Sequence, residues 1–140
     1  MELVTGGAGF IGSHLVDALV SEGKEVRVID NFSSGKMSFL SHHEGNGNVE
    51  IVEGDTLDLE ILTESMHGVE TVHHMAANPD IRLGIEVTDT DLRQGTVATY
   101  NVLEAMRLSD VSRISFSSSS AVYGEAEMMP TPENYGPIMP

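Results

Sequence analysis

The chain has no cysteine, so disulfides and thiolate metal centres are excluded outright. Basic residues are scarce. Seven Lys and Arg stand against 22 Asp and Glu, a formal net charge of -15. Such a field repels nucleic acid and anionic lipid at long range, so neither is an expected partner. The acids are scattered and not blocked, which points to a solvated surface instead of an acidic tail. With Lys24 and Lys36 as the lysines, the balance fits adaptation to high salt or, more simply, an acidic cytosolic protein. No apolar run is long enough to span a bilayer, and no apolar leader with a cleavage site stands at the start. The cytoplasm is the expected compartment.

What is present reads as one globular unit. A length of 140 residues with 40% hydrophobic content allows one domain with a real core and is too apolar for a disordered chain. Short apolar runs alternate with helical patterns, which predicts βαβ units and a doubly wound parallel sheet, an α/β fold. Expected strands are Glu2–Thr5, Val26–Ile29, Val49–Val52, Val69–Met75 and Ser112–Ser117. Helices are expected from about Ile11 to Gly23, after an Asp58 N-cap, and from Thr88 to Leu108; residues 33–48 read as a polar loop with some helical turn. After Gly124 the chain reads as loop, so residues 1–125 are expected to form an incomplete dinucleotide-binding domain. Residues 126–140 would then lead toward elements beyond.

The most specific local motif is T-G-G-A-G-F-I-G-S, Thr5 to Ser13. It satisfies G-x-G-x-x-G through Gly7, Gly9 and Gly12, and a second spacing through Gly6, Gly9 and Gly12. Glycine is needed there because the backbone must turn sharply and approach a pyrophosphate with no Cβ in the way. The next helix then points its first amides and its positive dipole end at the phosphates. No G-K-S/T follows, so a nucleoside-triphosphate loop is not expected. Asp30 closes the second strand eighteen residues past Gly12, where an acid accepts hydrogen bonds from adenosine ribose hydroxyls. It would repel an NADP 2′-phosphate by about 4 kcal/mol at ~4 Å and an effective dielectric near 20, so NAD is expected over NADP.

These blocks, with G-D (Gly54, Asp55), H-M-A-A (His74 to Ala77), N-V-L-E-A (Asn101 to Ala105) and S-S-S-S-A-V-Y-G (Ser117 to Gly124), resemble the extended short-chain dehydrogenase/reductase family, in its NAD-dependent epimerase/dehydratase group. The resemblance covers essentially the whole chain. It implies that Gly6, Gly9, Phe10, Ile11 and Gly12 line the dinucleotide, and that Asp30, Asn31, Ser34 and Gly35 surround the adenosine ribose. It implies further that Asp55 and Thr56 face the adenine, and that Ala76, Ala77, Asn78 and Ser117 flank the nicotinamide half. Ser119, four residues before Tyr123, is implied as the catalytic serine, hydrogen-bonding the sugar hydroxyl that loses a proton. The implied reaction oxidises a nucleotide-sugar C4 hydroxyl to a ketone and reduces it from the other face, or loses water first as a dehydratase. A UDP-sugar is the favoured substrate, and the full-length enzyme is expected to be a homodimer.

Two departures stand out. Gly95 occupies a position six residues before Asn101 where the family usually has Asn, which removes a polar side chain near the nicotinamide ribose. The family's proton-transferring Y-x-x-x-K is missing: the tyrosines are Tyr100, Tyr123 and Tyr135, and both lysines precede them. The 140 residues are therefore expected to be inactive alone. A non-catalytic NAD-binding module and a reductase of steroid-like or flavonoid ketones are the rival readings. No metal site is expected, since His42-His43 and His73-His74 lack metal-like partners at helical or turn spacing. The eight methionines read as core filler.

Overall fold

Alternating apolar residues in the short strands face two helical layers. In the computed structural model, which describes residues 1–80 and 82–135, β1 (Glu2–Thr5), β2 (Val26–Asp30), β3 (Val49–Glu53), β4 (Thr71–His74) and β5 (Arg113–Phe116) form one sheet. Its order is β3-β2-β1-β4-β5, and every pairing is parallel. Leu3 and Ile29 pack with Leu62, Val102 and Met106 under α2 (Leu59–Ser65) and α4 (Ala98–Leu108). Val4 and Val28 point the other way, toward Val16 of α1 (Phe10–Ser21) and Leu40. Apolar faces on both sides are what a parallel sheet needs. This is the expected doubly wound α/β fold.

Local signals hold well. Gly23, just past α1, sits at φ +78°, the left-handed cap that glycine adopts without strain. Asp58 caps α2, its Oδ1 accepting from the Glu60 and Ile61 amides at 3.0 and 3.2 Å. Residues 33–48 contain the 3-10 turns Met37–Phe39 and Ser41–His43, with Leu40 between them fully buried.

Three expectations are corrected. The long helix starts at Thr90 and not Thr88, and passes through a π-helical stretch, Leu92–Val97, before α4. Within it the Gly95 carbonyl accepts from both the Thr99 hydroxyl, at 2.6 Å, and the Ala98 amide, and a glycine at that position offers the least resistance to a swollen turn. A short α3 (Leu83–Glu86) precedes it. β5, expected within a sheet covered on both faces, lies at the sheet edge and is exposed at every residue, Phe116 by 56%. Methionine fills the core at Met66 and Met106, whereas Met129 is 88% exposed.

Residues 126–135 form no strand and carry a single 3-10 turn, Glu133–Tyr135; residues 136–140 of the expected closing loop lie outside the described residues. Among the described residues no helix is long and apolar enough to cross a membrane.

Candidate functional site

The strand order reverses between β1 and β4, so the connections leaving their carboxyl ends diverge and open a crevice. A cavity of about 350 Å³ lies at that point. Gly6, Gly9, Phe10, Ile11, Gly12, Asp30, Asn31, Ser34, Gly35, Thr56, Ala76 and Ala77, all singled out from sequence, line it. Folding thus gathers residues as far apart in sequence as Gly6 and Ala77 around one space.

Each glycine has a measurable reason. Gly6 turns at φ +68°, and a Cβ there would stand 2.7 Å from the Ala76 Cα, so the loops after β1 and β4 touch backbone to backbone. A Cβ on Gly12 would overlap the Gly6 carbonyl oxygen and come 2.7 Å from the Gly7 Cα. α1 begins on Gly9 with no side-chain cap, leaving the first-turn amides of Phe10, Ile11 and Gly12 to face the cavity mouth. An uncapped helix start of this kind, with no acid in its first turn, is suited to an anionic ligand.

Asp30 is 8% exposed and does two jobs in the protein itself. Its Oδ2 accepts from the Ala8 amide and its Oδ1 from the Phe32 amide, both at 2.9 Å. The carboxylate pins the glycine loop to the end of β2, and Phe32 is held at φ +54° in the turn it makes. Ser33 also lines the cavity beside Ser34.

Four other sequence candidates are placed elsewhere. Asp55 is turned to protein partners, its Oδ2 accepting from Asn31 Nδ2 and its Oδ1 from the Leu57 amide, each at 2.8 Å. Asn78 organises its own loop, donating to the Asp80 carbonyl at 3.0 Å and Asp91 Oδ1 at 3.1 Å. Ser117 lines a second cavity of about 470 Å³, next to Gly95, Thr99, Tyr100 and Phe116. Ser119 lines neither cavity; its carbonyl accepts from the Val122 amide at 3.2 Å. Met75, Pro79 and Gln94 line the first cavity without having been singled out. Gln94 stands beside the Gly95 departure, which was the available signal.

One chain of hydrogen bonds ties the two cavities together, and its direction is fixed. The Ala76 amide donates to Thr5 Oγ1 at 3.3 Å, and Thr5 Oγ1 lies 2.7 Å from His74 Nδ1. His74 Nε2 lies 3.2 Å from Thr99 Oγ1, whose proton goes to the Gly95 carbonyl. The Thr99 proton is committed to the Gly95 carbonyl, so Nε2–H must donate to Thr99. Burial pushes the His74 pKa below the ordinary 6.5 and favours the neutral ring. In that neutral Nε2–H form Nδ1 accepts from the Thr5 hydroxyl. Asn101 plays a parallel part on the other side, its Nδ2 donating to the Thr56 and Leu57 carbonyls at 3.2 and 3.0 Å. This fixes the loop after β3 against α4.

The model of the NAD-dependent epimerase/dehydratase family matches residues 2–140. The chain belongs to that family. A relative from Methanocaldococcus jannaschii is 40% identical over 144 residues, and the chain spans all of itself but 45% of that protein. A crystal structure of a UDP-galactose 4-epimerase is 43% identical, with TM-score 0.76 over 97% of this chain and 44% of the other. The UDP-glucose 4-epimerase of Brucella ovis, solved with NAD, gives TM-score 0.82 at 35% identity, over 97% of this chain and 41% of that one. A UDP-N-acetyl-alpha-D-glucosaminuronate decarboxylase from Bacillus cytotoxicus is 37% identical over 123 residues, covering 88% of this chain and 37% of that protein. The family member described here thus spans under half the length of these relatives.

Proposed function

We propose that residues 1–125 are the cofactor half of an NAD-dependent nucleotide-sugar epimerase acting on a UDP-sugar at C4. The carrying observation is that Gly6, Gly9, Gly12 and Asp30 converge on one cavity where β1 and β4 part. Backbone space that a Cβ would fill, at Gly12 above all, fits the close approach of a diphosphate. The amides of Phe10, Ile11 and Gly12 would hold the phosphates. Asp30, which keeps acceptor capacity beyond its two amide bonds, would take the adenosine ribose with Asn31, Ser34 and Gly35. Asp55 would act at the adenine end through its bond to Asn31, beside Thr56. Ala76, Ala77, Asn78 and Ser117 would flank the nicotinamide half.

When bound, NAD supplies the acceptor and then the donor of a hydride. Ser119 would hydrogen-bond the sugar hydroxyl that gives up its proton; its place two residues beyond cavity-lining Ser117 supports this. No Y-x-x-x-K occurs among the 140 residues, so alone they should turn over no sugar, and NAD should bind to them only weakly. In the whole enzyme we place the activity in the cytoplasm and in a homodimer. Similarity to a decarboxylase supports a second reading, in which the same cofactor half serves a decarboxylase or 4,6-dehydratase.

Calorimetric titration with NAD and NADP tests the reading. NAD should bind, NADP at least about tenfold more weakly, because of the Asp30 carboxylate. Absence of NAD binding, or equal binding of the two, would refute it.

A further inference from the structure

His42 and His43 sit side by side on the turn Ser41–His43, their ring centroids 4.2 Å apart. Local spacing offers this pair no third ligand, but folding does. Asp17 of α1 reaches across, and both Nε2 atoms lie 2.7 Å from the same Asp17 Oδ1. One ligand atom from each of the three residues falls within 4.8 Å of the others. We propose that Asp17, His42 and His43 form a binding site for a borderline divalent transition-metal ion, zinc being the type.

The donor set selects the ion class. Two imidazole nitrogens and one carboxylate oxygen suit zinc and its neighbours, whereas calcium and magnesium take oxygen ligands throughout. Zinc–ligand bonds of about 2.0–2.2 Å in tetrahedral array separate ligand atoms by about 3.3 Å. The present 2.7 Å contacts must therefore open by roughly 0.6 Å, which side-chain rotation can supply. The Asp17 and His42 side chains are 45% and 54% exposed and free to adjust, leaving a solvent side where water completes the coordination. His43, at 8%, provides the fixed arm. The turn is anchored by fully buried Leu40, whose carbonyl accepts from the His43 amide at 2.9 Å.

The half-exposed Asp17 carboxylate and the two Nε2 atoms become ligands when the metal replaces the protons now shared between them. The chain's net charge of -15 also concentrates cations near its surface.

The site would staple the loop after β2 to α1. The same loop presents Ser33, Ser34 and Gly35 to the first cavity, and its Lys36 amide donates to the Ala8 carbonyl at 2.9 Å. The proposal does not rest on the cofactor assignment, and its test reads metal alone.

Titrating the 140-residue chain with zinc chloride by calorimetry, in a non-chelating buffer at neutral pH, should show one equivalent bound. Zinc at a hundredfold its Kd should raise the melting temperature by roughly 5–10 °C, reversed by EDTA. Asp17→Asn and His42→Gln each change a partly exposed ligand and should weaken binding at least about tenfold, while His67→Gln should not. The visible absorption of bound cobalt(II), lost in the same two variants, gives a readout independent of stability. No zinc binding, or binding retained in the Asp17→Asn, His42→Gln double variant, overturns the site.

Discussion

Replacing Thr5 by Val tests the directed hydrogen-bond chain at its most constrained link. The two side chains have nearly the same volume, and Thr5 is fully buried in β1, so the change removes a hydroxyl and little else. Two groups lose their partner at once: His74 Nδ1, 2.7 Å away, and the Ala76 amide, 3.3 Å away. A tautomer switch does not rescue His74. With the proton on Nδ1 that nitrogen still faces the valine methyl, and Nε2 must then draw the Thr99 proton away from the Gly95 carbonyl. A buried polar group left without a partner costs about 1–3 kcal/mol, and the Ala76 amide is half-buried, so the pair should cost about 2–4 kcal/mol. Thr5→Ser keeps the hydroxyl and loses one methyl, worth about 1 kcal/mol. Urea unfolding followed by circular dichroism should rank wild type, then Ser, then Val, and nitrogen NMR of the His74 ring should report the Nε2–H form in wild type. A valine variant as stable as the serine one, or an Nδ1–H ring in wild type, refutes the reasoning.

Three further outcomes are expected. Burial depresses the His74 pKa, so the folded state prefers the neutral ring; this contribution is complete above about pH 6.5 and is lost as pH falls through the lowered folded value. The loss runs at no more than about 1.4 kcal/mol per pH unit, and an NMR titration of His74 with a midpoint at or above 6.5 would contradict it. Gly12→Ala forces a methyl against the Gly6 carbonyl and should cost about 1–3 kcal/mol and at least tenfold in NAD affinity, whereas Gly47→Ala, with open space around it, should stay within about 0.5 kcal/mol by the same unfolding assay. Asp58→Ala removes the cap on two amides of α2 and should lower stability by about 1 kcal/mol in thermal denaturation.

The parts of the molecule that were legible in its sequence are those decided within a few residues. Glycines that must turn or let backbone approach, Gly6, Gly12 and Gly23, are decided by sterics, and Asp58 by the needs of one helix start. Two-sided apolar strands declare a parallel sheet for the same reason. What was not legible depends on distant partners. Whether Asn78 faces a cavity or its own loop is settled by Asp91, thirteen residues on. Asp55 turns to Asn31 across the sheet end, and the His42-His43 pair acquires Asp17 from another layer. The π-helical stretch, where the Gly95 carbonyl takes the Thr99 hydroxyl as well as a backbone amide, is a local hydrogen-bond pattern that apolar periodicity does not record.

Asp30 binds two turns together with the same carboxylate that faces the cavity. Its evolutionary freedom is narrowed accordingly. A lineage drifting toward a phosphorylated ribose would have to give up that charge, and with it the anchor of the Ala8 amide and the left-handed turn at Phe32. Cofactor preference and loop architecture are therefore inherited together, and an engineer wishing to switch the one must rebuild the other.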